Sequence, residues 1–396
     1  MIPYGKQCIE EDDIQEVLKV LKSDWVTQGP KIKEFEDAIC AYTGARHAIA
    51  VATGTAALHC ACFAAGIGPG DEVITAPITF AASGNCALFL GADVKFVDIR
   101  KDTYCMDPKK LESAITPKTK AIIPVDFTGQ PCDMDEINNI AKKHNLIVIH
   151  DAAHSLGASY KGKKIGTLAN MTIFSFHPVK HITTGEGGMI VTSDELLAKK
   201  LRLFRTHGIT NDSSSIKLKE QASDNENSFL KGRNPETVSP WYYEMQALGY
   251  NYRITDIQCA LGLSQLKKLD QFISKRRKIV ARYTEAFSKS PYLITPLQEN
   301  DRKNAWHLYM LCLRLKEMIK TRRQVFEELR ALGIGVHVHY MPLHLQPYYR
   351  ERFGYKREDF PEAEKFYDRA ITIPLFPGLT DSEVEYIIEN VLKVVK

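Results

Sequence analysis

Asp151 and Lys180 are the residues of this chain whose types and spacing point most directly to chemistry. Asp151 closes the apolar run LIVIHD at 146–151, and Lys180 follows 29 positions later inside SFHPVKHITTGEGG. An acid at the carboxyl end of a buried strand can hold a protonated ring nitrogen, and a lysine one strand later can form a Schiff base with an aldehyde. That division of labour is the one pyridoxal phosphate chemistry needs. The TGTAAL turn at 53–58 adds a glycine and two hydroxyls where a strand passes into a helix, and free N–H groups with the helix dipole favour a dianion there. Phe80 is placed to lie on a ring face, Ser175 to add a hydroxyl to the phosphate, and His154 to hydrogen-bond Asp151 or a phenolic oxygen.

These side chains need strands to carry them. Between residues 47 and 207 the runs HAIAVA, EVITA, DVKFVD, TKAIIPV, LIVIHD, MTIFSF and GGMIVT alternate with helical segments near 55–65, 80–90, 108–115, 133–144 and 194–206. Continuously apolar strands in such alternation predict an α/β fold with a mostly parallel sheet covered on both faces, its ligands at the carboxyl ends of the strands. The text from 211 to 240 is polar and rich in Ser, Asn and Pro, and reads as a long inserted loop. Beyond it, apolar spacing of three and four predicts a long helix, followed by a smaller α+β part. The expected division is a large domain, 1–250, and a small one, 251–396.

Composition narrows the possible partners. Lys plus Arg minus Asp plus Glu is 52 − 48 = +4, with no basic block longer than KRRK at 275–278, so neither nucleic acid nor an anionic membrane is expected. The nine cysteines are scattered without a C-x-x-C pair and read as reduced thiols. The start, MIPYGKQCIEEDD, lacks a basic stretch followed by an apolar core, and a cytoplasmic location is expected. The charge-free run at 48–68 is split by T-G-T into a strand and a helix, so it is not expected to cross a membrane. His337 and His339 alternate on one strand face with His344 following, but no carboxylate or thiolate stands near, and no metal site is expected.

With these residues in place, the chain resembles the DegT/DnrJ/EryC1/StrS family of sugar aminotransferases over essentially its full length. The matching text comprises WVTQGPKIKEFE (25–36), ATGTAAL, GDEVITAPITFAAS, HDAAHSLG, SFHPVKHITTGEGG, RTHGI (205–209), LGYNYRITDIQCALG (248–262) and GIGVHVHYMPLHLQPYY (333–349). The resemblance implies a fold-type-I, aspartate aminotransferase-like scaffold and pyridoxal 5'-phosphate as cofactor. It assigns Lys180 to the Schiff base, Asp151 to the pyridine nitrogen, Phe80 to the ring face and His154 beside it. Phosphate contacts would fall to Gly54, Thr55, Ala56 and Ser175, with Asn251 reaching the phosphate of a neighbouring subunit in a homodimer with shared sites.

Substrate contacts would fall to Thr27, Tyr340, Arg253 and His337. The implied donor is L-glutamate. The implied acceptor is a UDP-linked 4-keto-6-deoxy-N-acetylhexosamine on the pseudaminic acid route. Relatives acting on dTDP-4-keto or 3-keto sugars, UDP-4-keto-arabinose, or bacillosamine and legionaminic precursors share most of this text, and a non-catalytic cofactor-binding sensor is a further alternative. One branch of the family dehydrates its sugar and has histidine in place of the lysine; here Lys180 is present, and His181 follows it.

Overall fold

Seven short apolar runs build the central sheet: β1 (His47–Val51), β2 (Glu72–Thr75), β3 (Asp93–Phe96), β4 (Thr119–Ile123), β5 (Ile147–Asp151), β6 (Met171–Ser175) and β7 (Gly188–Thr192). The computed structural model describes residues 1–218 and 239–396. Strand order is β1-β7-β6-β5-β4-β2-β3, parallel throughout except for β7, which runs antiparallel to both β6 and β1. Successive side chains of a strand point to opposite faces, so a sheet covered on both sides favours apolar residues at nearly every position, and only the edge strand β3 alternates, with Asp93 and Lys95 between buried Val94 and Phe96. Ala48, Ala50, Ile122, Val148 and Phe174 accordingly enter one core, while Ile49, Val51, Ile123, Ile149 and Ile173 enter the other.

The helices expected between these strands are present as α3 (Gly54–Ala64), α4 (Ala82–Leu88), α5 (Pro108–Ala114), α6 (Met134–Lys143) and α7 (Glu195–Arg205), preceded by α1 (Glu11–Leu21) and α2 (Pro30–Thr43). The strands and helices form the expected α/β architecture around a mostly parallel sheet.

The long helix α8 (Asp256–Phe287) begins at a capping box, in which Thr255 accepts from the Gln258 N–H and Gln258 reaches back to the Thr255 N–H. It contributes to two cores. Cys259, Leu269, Phe272 and Ile273 join the core of the central sheet, whereas Ile279, Val280, Tyr283 and Phe287 pack under a second, three-stranded antiparallel sheet. That sheet is β8 (Leu293–Ile294), β9 (Tyr309–Leu313) and β10 (Ala370–Ile373), with β9 in the middle. The expected division at residue 250 falls in the irregular segment just before α8. Most of the polar stretch expected to form an inserted loop, residues 219–238, lies outside the described residues. The chain on either side of it is drawn together by pairing of Ile209–Thr210 with Glu244–Met245.

Candidate active site

A cavity of about 540 Å³ opens at the carboxyl ends of β5 and β6. One wall is the turn from β1 into α3. Thr53 caps the helix by accepting from the Ala56 N–H at 3.0 Å, which leaves the first-turn N–H groups of Gly54 and Thr55 without intrahelical partners. Ser175, at the end of β6, stands against this turn so closely that a Cβ on Gly54 would lie 3.0 Å from its Cβ. From the other side β7 approaches backbone to backbone, and a Cβ on Gly188 would lie 2.4 Å from the Thr53 carbonyl oxygen. Gly188→Ala is therefore expected to displace the turn and weaken phosphate binding at least about tenfold. Titration of the apo chain with cofactor, read by absorbance, checks this; unchanged affinity would mean that the turn does not hold the phosphate.

Asp151 is placed by the strand that it ends. Its Oδ2 accepts from Ser83 Oγ at 2.6 Å and its Oδ1 from the Ala153 N–H at 3.2 Å; Ser83 in turn lies 2.7 Å from Thr79 Oγ1. Burial pushes the carboxyl above its ordinary range, against the Ser83 and Ala153 hydrogen bonds and the nearby Lys180 charge, which favour ionisation. A buried carboxylate calls for a cationic partner, and the ring N–H of a protonated pyridine is one.

Lys180 rides on the segment between the antiparallel strands β6 and β7. The ladder pins both ends of that segment, with Ser175 opposite Gly188 and the Phe176 N–H donating to Gly187 O at 2.9 Å. Inside it, Thr183 Oγ1 and the Thr184 N–H both donate to Phe176 O, and Gly185 N–H donates to Thr183 Oγ1. Buried Ile182 and a contact of His181 Nε2 with Ala305 O at 3.2 Å fix the turn from below. His181 thus anchors the lysine loop. Burial brings the Lys180 amine down to about 8, with Asp151 acting against that fall and Arg276 adding to it. Such an amine is substantially neutral near pH 8 and able to attack an aldehyde.

Of the residues expected to act, Lys180, Asp151, His154, Gly54, Thr55, Ser175, Phe80, His337 and Tyr340 line this one cavity. Phe80 is 59% exposed towards it, with its ring 6.0 Å from that of Tyr340. Four residues do not line it. Ala56, expected among the phosphate contacts, has its N–H taken by the Thr53 cap. Thr27 and Asn251 are exposed and bridge Thr255 and Thr206, and Arg253 follows Asn251 on the same segment, outside the cavity. Sequence reasoning missed Ser83, His177 and His307. Ser83 sits in the APITFAAS text three residues after Phe80, in the first turn of α4, and a search for hydroxyls at helix starts finds it. His307 is a lone histidine in an apolar run, NAWHLYM, and carries no local signal.

The residues present fit pyridoxal phosphate: a helix-start cradle for a dianion, a buried carboxylate for a ring cation, and a lysine with a depressed pKa. His154 fits too, since its buried Nδ1 has no protein partner among the described residues and burial keeps the ring neutral.

Comparison with known proteins agrees. The profile of the DegT/DnrJ/EryC1/StrS aminotransferase family matches residues 7–392. The spore coat polysaccharide biosynthesis protein SpsC of Bacillus subtilis is 43% identical over all of this chain and 97% of its own length. A UDP-4-amino-4,6-dideoxy-N-acetyl-beta-L-altrosamine transaminase of Campylobacter jejuni is 39% identical over all of this chain and 98% of its own. Among solved structures, the PLP-form of the putative sugar aminotransferase Spr1654 from Streptococcus pneumoniae superposes with a TM-score of 0.87 at 33% identity, covering 100% of this chain and 98% of that one. A full-length match to these proteins and a cavity furnished for their cofactor lead to one assignment: the chain belongs to the DegT/DnrJ/EryC1/StrS aminotransferase family and is a pyridoxal phosphate-dependent sugar aminotransferase.

Proposed function

We propose that this enzyme moves the amino group of L-glutamate to C4 of a UDP-linked 4-keto-6-deoxy-N-acetylhexosamine, giving the 4-amino sugar nucleotide used in pseudaminic acid biosynthesis. The observation that carries this reading is end-to-end similarity, at 39% identity, to a transaminase named for that class of sugar nucleotide. The mouth of the cavity is consistent with a sugar, since Tyr4, Phe80, His337 and Tyr340 offer faces and hydrogen-bonding edges there.

The cofactor, when bound, supplies an aldehyde that exchanges amines and a ring that accepts the electron pair freed at the adjacent carbon. The chain's residues do the rest. Lys180 would hold the aldehyde through Nζ, and as a free amine its Nζ would take up the proton from the donor's α-carbon and give it back. In the second half the same amine delivers a proton to the sugar carbon from one face. Asp151 would keep the ring nitrogen charged, and the Gly54–Thr55 turn with Ser175 would hold the phosphate. We assign catalysis to Lys180, Asp151 and His154, cofactor binding additionally to Gly54, Thr55, Phe80, Ser175 and Asn251, and sugar-nucleotide contacts to Thr27, Arg253, His337 and Tyr340.

We further infer a cytoplasmic homodimer built from a large unit, 1–250, and a small one, 251–396. Trp25 (58% exposed), Leu248 (79%) and Tyr250 (42%) flank Thr27, Asn251 and Arg253, an apolar surface suited to a second copy that would bring those residues to its cavity.

A different nucleotide keto sugar is the second reading, favoured by the higher identity to SpsC, a protein named for spore coat polysaccharide. Incubating the pyridoxamine form with a panel of UDP- and dTDP-linked 4-keto and 3-keto sugars separates the two. Fastest return of the yellow aldehyde form is expected with the UDP-linked 4-keto-6-deoxy-N-acetylhexosamine. Faster return with any other member of the panel would replace that acceptor with the one named by the result.

A further inference from the structure

His307 stands beside the reactive amine without a part in the chemistry described so far. Its Nε2 lies 3.3 Å from Lys180 Nζ, and the residue is 3% exposed. Three contacts hold it there. Its N–H donates to Thr128 O at 2.8 Å, its carbonyl accepts from Arg276 Nη1 at 3.2 Å, and its ring packs on His154 with centroids 4.3 Å apart. The backbone on both sides of this clamp is strained: Thr128 has φ 62 and Trp306 has φ 54, left-handed values that non-glycine residues adopt only where the surroundings over-determine them. Strain of that kind clusters at functional sites. His307 Nδ1 has no partner among the described residues, so an aromatic ring without nitrogens would satisfy this core better. The remaining use for the imidazole is the amine. A protonated amine offers only hydrogens, and a neutral imidazole offers one lone pair to receive them. Burial keeps His307 neutral.

We propose that His307 is a positioning residue for Lys180: through Nε2 it accepts a hydrogen bond from the ε-ammonium group, fixing Nζ over the cavity and keeping it able to carry a proton. The inference rests on the reading of Lys180 as the cofactor lysine. The charged or titratable groups around the pair are Asp151 from β5, His154 just beyond it, His181 on the lysine loop, His339 and Arg276. Among them only Asp151 favours a charged lysine. An acceptor for the ammonium N–H adds to that support, because hydrogen bonding to a charged form favours it. Without the acceptor the amine loses its proton at lower pH, moving away from the range in which it can both take and return one.

The test compares H307F, which keeps the ring volume without an acceptor, with H307Q, whose amide oxygen reaches about as far as Nε2. In the apo chain, reductive methylation mapped to the Lys180 peptide is followed against pH. The labelling midpoint is expected to fall by about one pH unit in H307F and to return towards the wild-type value in H307Q. In the loaded enzyme both half-reactions are expected to slow roughly 10–100-fold in H307F, in kcat more than in KM, with recovery in H307Q. Should H307F fail to fold, H307N, which is too short to reach Nζ, takes its place in the same comparison. An unshifted midpoint in the folded variant, or H307Q behaving like H307F, overturns the proposal. A borohydride-trapped cofactor tag on a lysine other than 180 overturns the underlying reading instead, and the two failures are thereby distinguished.

Discussion

Lys180→Ala is expected to bind pyridoxal phosphate and to turn over at less than a few per cent of the wild-type rate. The phosphate turn, Ser175 and Asp151 are untouched by the change, so the cofactor keeps its dianion site and its ring partner. What disappears is the covalent tether together with the group that moves the proton, and a positioned acid–base group alone is worth roughly 10²–10⁴-fold. The wild-type apo chain should also show the lysine in its reconstitution kinetics. Because the free amine is the nucleophile and its pKa lies at about 8, the rate of covalent capture should rise with pH to a midpoint near that value and then level off. The variant should show no such titration. Single-turnover absorbance with L-glutamate provides the measurement, and appreciable transamination by the alanine variant would remove Lys180 from its role.

Asp151→Asn is the second large effect. Asparagine fits the space and can keep the Ser83 contact, but it carries no charge to hold the ring proton. A hydrogen bond to a charged group is worth about 1.5–3 kcal/mol, which corresponds to roughly 10–150-fold in rate. Both half-reactions should slow by that factor, because the ring accepts electrons in each, while phosphate affinity changes little. Unchanged kcat would contradict the placement of Asp151 on the ring nitrogen. Asp151 thus tests the electron sink, whereas Lys180 tests the tether and the proton carrier.

What could be read from the chain alone follows the range of the interactions involved. Most central strands were visible because burial on both faces demands a nearly unbroken apolar run, whereas the edge strand β3 showed as the alternation DVKF, and β1 to β7 lie within the runs EVITA, LIVIHD and their counterparts. Asp151, Gly54 and Thr55 were visible because strand ends and helix starts are local events. Ser83 and His307 were not, since their contacts with Asp151 and Lys180 span 68 and 127 positions and depend on the assembled sheet. Ala56 shows a local rule overlooked: a threonine N-cap takes the N–H three residues on, so the third amide of the turn was already committed. The seat of Asn251 outside its own chain's cavity accords with the expectation that it serves a neighbouring subunit, whereas those of Thr27 and Arg253 could not have been foreseen from motif text, which records kinship and not location.

The reversed strand β7 has a consequence for how such an enzyme can diversify. With the lysine loop fastened at both ends by the β6–β7 ladder, and by hydroxyl bonds that do not involve the side chain of residue 180, the scaffold does not depend on what that side chain is. One codon can therefore exchange the reactive group while the architecture persists, so that new reactions arise in a lineage by substitution at a single spot, without rebuilding the protein around it.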